Sequence, residues 1–152
     1  MSNEIVPLNG HVRIRAWEKQ DDGTELLVKD ATIKNLIVDS GKDSILKYLG
    51  NLSGGYYLQK IGVGDDATAA ALAQTDLIGS TYYWKDISSD GRVYVNPTLY
   101  VSSDFGYSEA NFTWNEIGLR DNNGALVARQ VDASPLVKTT SKRAIVEWQL
   151  TL

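Results

Sequence analysis

His11-Val12-Arg13-Ile14-Arg15-Ala16-Trp17 places Val12, Ile14 and Ala16 on one side of an extended backbone and Arg13, Arg15 and Trp17 on the other. Successive side chains of a strand point to opposite faces, so this run reads as a strand with one buried face. Gln20-Asp21-Asp22-Gly23 follows as a turn signal, and residues 24–30 read as a second strand completing a β-hairpin. Residues 32–38 form a third apolar stretch. The same period predicts strands over 58–63, 81–87, 92–101, 114–120, 125–131 and 144–152. In the last of these Val146, Trp148, Leu150 and Leu152 share a face, and the chain is expected to end inside that strand. Pro97 within 92–101 implies an edge strand, a bulge or two strands, because proline has no N–H to donate to a ladder.

One segment breaks the alternation. Ile45, Leu46 and Leu49 follow Asp39-Ser40-Gly41-Lys42-Asp43 at helical spacing. Ser40 with Asp43 resembles a capping box, and Gly50 suits the residue after a helix. The spacing predicts a helix of about two turns over 41–49. Residues 67–73 suit either another short helix or a loop. Many short strands separated by turn signals point to a mainly β fold, an antiparallel β-sandwich of jelly-roll-like kind with one short helix. The whole of residues 1–152 is read as a single domain, a length that one core accommodates.

Composition narrows the chemistry. Fifteen basic against nineteen acidic side chains give a net charge of −4, a poor balance for gripping a phosphate backbone, so no nucleic-acid partner is expected. There is no cysteine, which removes disulfides, thiolate metal sites and cysteine nucleophiles. The one histidine, His11, has no serine elbow such as G-x-S-x-G to serve as base. No apolar run approaches the roughly 18 residues of a membrane span, and no membrane partner is expected. Residues 61–132 carry a net charge of −6 and residues 133–152 a net of +2, an asymmetry suited either to attraction between subunits or simply to solvated loops.

Two motifs invite chemistry and decline it. Gly62-Val63-Gly64-Asp65-Asp66-Ala67 fits the G-x-G-x-x-G/A dinucleotide pattern. Two carboxylates would then stand beside the pyrophosphate, and the downstream sequence is antiparallel-looking β rather than a βαβ unit. Asp121-Asn122-Asn123-Gly124 is oxygen-rich but lacks the alternate ligands and closing Glu of a calcium loop, and reads as a hairpin turn. No cofactor, no metal and no enzymatic activity are expected.

The aromatic residues point elsewhere. Eight of the fourteen are Tyr, four are Trp and two are Phe. Tyr and Trp join a large apolar body to a polar handle and suit half-wet contact surfaces. Tyr56-Tyr57 and Tyr82-Tyr83-Trp84 are therefore the candidate interface residues, open to three readings: subunit contact, sugar stacking, or core and edge packing.

Asn115-Glu116-Ile117-Gly118-Leu119-Arg120-Asp121, Gly124-Ala125-Leu126-Val127-Ala128-Arg129 and Pro135-Leu136-Val137-Lys138 together resemble bacteriophage virion structural proteins of the tail-collar, tail-fibre or baseplate type. Asn35-Leu36-Ile37-Val38-Asp39-Ser40-Gly41, Ile61-Gly62-Val63-Gly64 and Thr75-Asp76-Leu77 add to the likeness, which covers scattered pieces of residues 32–152. Tail-collar domains usually head a longer fibre, a pattern from which this sequence is expected to depart. The resemblance implies a non-enzymatic subunit located in the virion. Its partners would be copies of itself and other virion proteins, with a host-surface glycan as a further possible contact. Capsid decoration and a carbohydrate-binding β-sandwich module are the alternatives. Within the resembling run, Ile117 and Leu119 are expected to enter the core, with Gly118 leaving room for a neighbour's approach.

Overall fold

A computed structural model describes residues 8–52 and 55–151. The chain runs β1 (Asn9–Lys19), β2 (Glu25–Lys34), β3 (Leu36–Ile37), α1 (Asp39–Leu49), β4 (Leu58–Gly64), β5 (Tyr82–Asp86), β6 (Arg92–Val95), β7 (Thr98–Phe105), β8 (Thr113–Asp121), β9 (Leu126–Val137) and β10 (Lys142–Thr151). Ten strands make two five-stranded antiparallel sheets, ordered β2-β1-β10-β7-β6 and β3-β9-β8-β4-β5. The fold is an antiparallel β-sandwich with a single α-helix among the described residues. β10 returns to lie beside β1, a Greek-key-like closure, while the pairs β1–β2, β4–β5, β6–β7 and β8–β9 stay within one sheet.

The core sits where the alternation places it. Val12, Ile14 and Ala16 are buried, as are Val146, Trp148 and Leu150 of β10 and Ile61 and Val63 of β4. Leu152 lies outside the described residues. Ile117 and Leu119 enter the same core. Pro97 separates two strands: β6 and β7 are joined by a turn through a cis Asn96–Pro97 bond. Residues 67–73 take up no helix and belong to a long loop between β4 and β5.

The helix is longer at its start than its spacing predicts, and its caps differ. It begins at Asp39, with Val38 at the N-cap and no capping side chain. Ser40 already lies within the helix, so its hydroxyl donates instead to the Leu126 carbonyl of β9 at 2.5 Å, and the capping box does not form. The Asp39 N–H finds its acceptor in the Leu72 carbonyl of the long loop, at 2.9 Å. At the other end Gly50 stays right-handed and Asn51, with φ of 50°, takes the left-handed position. Leu52 N–H donates to Lys47 and Asn51 N–H to Tyr48, the bonding of a Schellman cap.

The long loop over residues 65–81 crosses the outer face of the second sheet. Glu116, fully buried, is its anchor. Its carboxylate accepts the Ile78 and Gly79 N–H groups at 3.0 and 2.7 Å and the Arg129 Nε at 2.7 Å. Arg129 in turn donates to the Thr68 carbonyl and to Gln74. Gly62, Gly64 and Gly118 clear the surface beneath. A Cβ at Gly62 would strike the Trp84 ring and one at Gly64 the Glu116 carboxylate, while one at Gly118 would stand 2.9 Å from both Leu77 and Trp84. The G-x-G pair is thus a strand surface shaved for packing.

Lys138 closes the opposite rim. Almost completely buried, its ammonium donates to the carbonyls of Gly106 and Glu109 and to Asn111 Oδ1 at 2.8–3.0 Å. Burial pushes this ammonium below its usual range, against the pull of Glu109. Lys138→Met is expected to destabilise the fold by about 1–3 kcal/mol by stranding those acceptors. The midpoint of urea unfolding reads the change.

Candidate contact surface at the open end of the sandwich

The five aromatic candidates do not form one patch. Tyr56 and Tyr57 precede the start of β4, whereas Tyr82 pairs with Gly64 at its far end. Seven residues of strand, about 23 Å at 3.3 Å per residue, lie between the two clusters. The second cluster splits further, because adjacent strand residues face opposite ways. Trp84 lies against Gly62 and Gly118, with the Arg120 guanidinium 4.4 Å from a ring centre, so this ring serves the fold. Tyr83 packs edge-on against Phe105, which packs edge-on against Trp114. Its hydroxyl donates to Glu109 at 2.9 Å, a bond that together with burial lifts the phenol above its ordinary value. Tyr82 alone of this cluster stands largely in solvent.

The Tyr56–Tyr57 cluster belongs to a larger feature. At this end the sheets splay around a groove of about 500 Å³. One wall comes from the second sheet: Ile45, Tyr48 and Leu49 of α1, Tyr56, Tyr57 and Leu58 before and at β4, and Val127 of β9. The other comes from Arg92 and Tyr94 of β6, Leu99 and Val101 of β7, and Leu150 of β10. The helix is seated so closely that Gly41 leaves no room for a Cβ against the Val127 backbone. Asn122 fixes the Tyr57 segment, accepting the Tyr57 N–H at its Oδ1 and donating to the Gly55 carbonyl.

The carboxylate of the groove is occupied by the fold. Asp121 accepts the Ser44 hydroxyl at 2.5 Å and the Asn123 and Ala125 N–H groups at 2.8 and 2.9 Å. That carboxylate builds the turn into β9, with Gly124 at φ of 82°, and ties α1 to it. Cations flank the aromatic rim: Arg92 sits 5.7 Å from the Tyr57 ring centre and Lys47 5.7 Å from that of Tyr56. His11, the only imidazole, lies in β1 between Gln149 and Lys34, away from the groove lining.

Exposure concentrates here. Of sixteen exposed large apolar side chains among the described residues, eight lie on α1, the turn after it, Tyr57 and β6: Leu46, Tyr48, Leu49, Leu52, Tyr57, Val93, Tyr94 and Val95. Sequence reasoning found Tyr56 and Tyr57 but missed the outer side of α1 and all of β6. The strand over 92–101 and the edge signal of Pro97 were legible, but the exposed run Val93-Tyr94-Val95 beside that proline went unrecognised as a contact surface.

No protein-family model, curated protein or solved structure matches this chain. No helix among the described residues is long and apolar enough to cross a membrane, and no cluster of His, Asp and Glu among them has the arrangement of a metal site.

Proposed function

We propose that this chain is a non-enzymatic structural subunit that acts through protein–protein contacts, and that it serves in a bacteriophage virion as a tail-associated fibre, collar or baseplate component. The observation that carries the contact reading is the gathering of exposed aromatic and aliphatic side chains around one open end of the sandwich. Patches of that kind mark interaction surfaces. At about 25 cal/mol per Å², covering them supplies association energy before entropic costs. The Asp121 carboxylate in that groove has its oxygens engaged by the fold, which favours contact over turnover there.

The virion part of the proposal rests on the resemblance of the Asn115–Asp121, Gly124–Arg129 and Pro135–Lys138 segments to phage structural proteins. Capsid-surface decoration would use the same contacts. Sugar stacking draws no support from Trp84, whose ring is taken up by Gly62, Gly118 and Arg120. Mass spectrometry of purified, fractionated phage particles tests the proposal. The chain is expected in many copies, in tail or baseplate fractions if it is tail-associated. Its absence from particles, together with turnover in an activity screen, would overturn the reading.

A further inference from the structure

We infer that β6 is the contact strand between two copies of this chain, which pair antiparallel about a two-fold axis and extend the first sheet across both molecules. The inference rests on the contact reading above and specifies its partner and register.

β6 ends the sheet order β2-β1-β10-β7-β6. Its inward bonds follow from the neighbouring Ser102 N–H to Gly91 carbonyl bond at 2.9 Å. Backbone groups alternate in direction along a strand, so residues 91, 93 and 95 face β7. Arg92 and Tyr94 then hold their N–H and C=O groups toward the open side. A strand with free ladder groups and apolar side chains is a template for another strand.

The other edges are guarded. β2 exposes Leu26, Leu27 and Val28, but it carries Glu25, Lys29, Asp30 and Lys34 around them and is bulged at that run, where it passes Ala16 and Trp17. β5 ends in Lys85-Asp86, and β3 has two residues. β6 reads Arg-Val-Tyr-Val, with no acidic or lysine gatekeeper.

The second copy is chosen by complementarity. A two-fold axis through Val93 pairs Arg92 of each copy with Tyr94 of the other, because those are the residues with outward backbone groups. Opposed residues in a sheet share a face, so each guanidinium comes to rest beside the facing Tyr94 ring, a cation–π pair formed twice. Arg92 already stands over Tyr57, so the incoming ring extends an existing aromatic–cation stack along the groove. Val93 meets its own counterpart as a non-hydrogen-bonded pair, where Cα atoms stand about 4.5 Å apart. Such an interface is self-complementary and closes at two copies.

The chain has no cysteine, so a single introduced thiol reports its own neighbour. About 4.5 Å between Cα atoms lies within the span of a disulfide. The full chain is expected to sediment as a dimer in the upper part of a concentration series. Under mild oxidation Val93→Cys is expected to give a disulfide-linked dimer as the main product. Val28→Cys, a comparably exposed position on β2, is expected to cross-link at least about tenfold more slowly, because random collision is its only route. Adding Tyr94→Ala to Val93→Cys is expected to slow cross-linking by a similar factor. Circular dichroism confirms that each variant is folded. Equal cross-linking of the two cysteine variants, or a native chain monomeric throughout the series, overturns the pairing. An oligomer in which Val93→Cys does not cross-link also overturns it while leaving the contact reading intact. Detection in particles decides that reading separately.

Discussion

Leu119→Asp is expected to abolish folding. Leu119 is fully buried in the middle of β8, between Ile61 on β4 and Ala128 on β9, and belongs to the common core of the two sheets. Replacing it removes an apolar side chain worth about 1.5–3 kcal/mol of burial. It also places a carboxyl group where no donor waits, a further cost of several kcal/mol. Together these approach the whole stability of a domain this size, about 5–15 kcal/mol. The variant should be insoluble on expression or lack near-ultraviolet dichroism. A soluble variant that melts at the native temperature would mean that β8 turns its other face inward.

Glu116→Ala should be the second most damaging change, at about 3–5 kcal/mol, because it removes the buried counter-charge of the Arg129 guanidinium and leaves only the half-exposed Asp66, 3.7 Å away. It also strands the Ile78 and Gly79 N–H groups. The damage should be uneven. Hydrogen exchange should accelerate first in residues 65–81, and next at Asp39, whose N–H bonds to the Leu72 carbonyl of that loop. Exchange within β1 and β10 should follow only global stability. Glu116→Leu combined with Arg129→Met should recover much of the loss, since an apolar pair carries no stranded charge. If Glu116→Ala cost less than about 1 kcal/mol, as surface pairs do, the carboxylate would have to be solvated and the loop free of the sheet.

These two residues also mark how far the sequence could be read. Leu119 was legible because a period of two needs only near neighbours: Val12, Ile14 and Ala16, or Val146 and Trp148, declare their face by spacing alone. The room left by Gly118 was legible for the same reason, and Leu77 and Trp84 fill it. Glu116 was not. A carboxylate in a strand ordinarily marks the wet face, and what dries this one is a loop 37 and 38 residues away in sequence. The helix was legible in place, but its caps depend on Leu126 and Leu72, which only the assembled fold brings near. The aromatic candidates divide in the same way. Tyr57 stands at the open end, whereas Trp84 was claimed by two glycines whose purpose spacing could not disclose.

The pairing of the first strand with the last has a practical corollary. Asn9 and Thr151 stand opposite each other across β1 and β10, and Leu8 and Leu150 both line the groove. Both described ends of the polypeptide therefore reach the same pole of the molecule as the aromatic rim. A probe attached at Asn9 or Thr151 would therefore stand at that pole and compete for its space. The Asp21-Asp22-Gly23 turn, where β1 and β2 meet beyond the Glu18–Lys142 pairing, sits at the far pole. Exposed, and with Gly23 in open space, it is the position for a fluorophore or epitope that must leave the rim untouched.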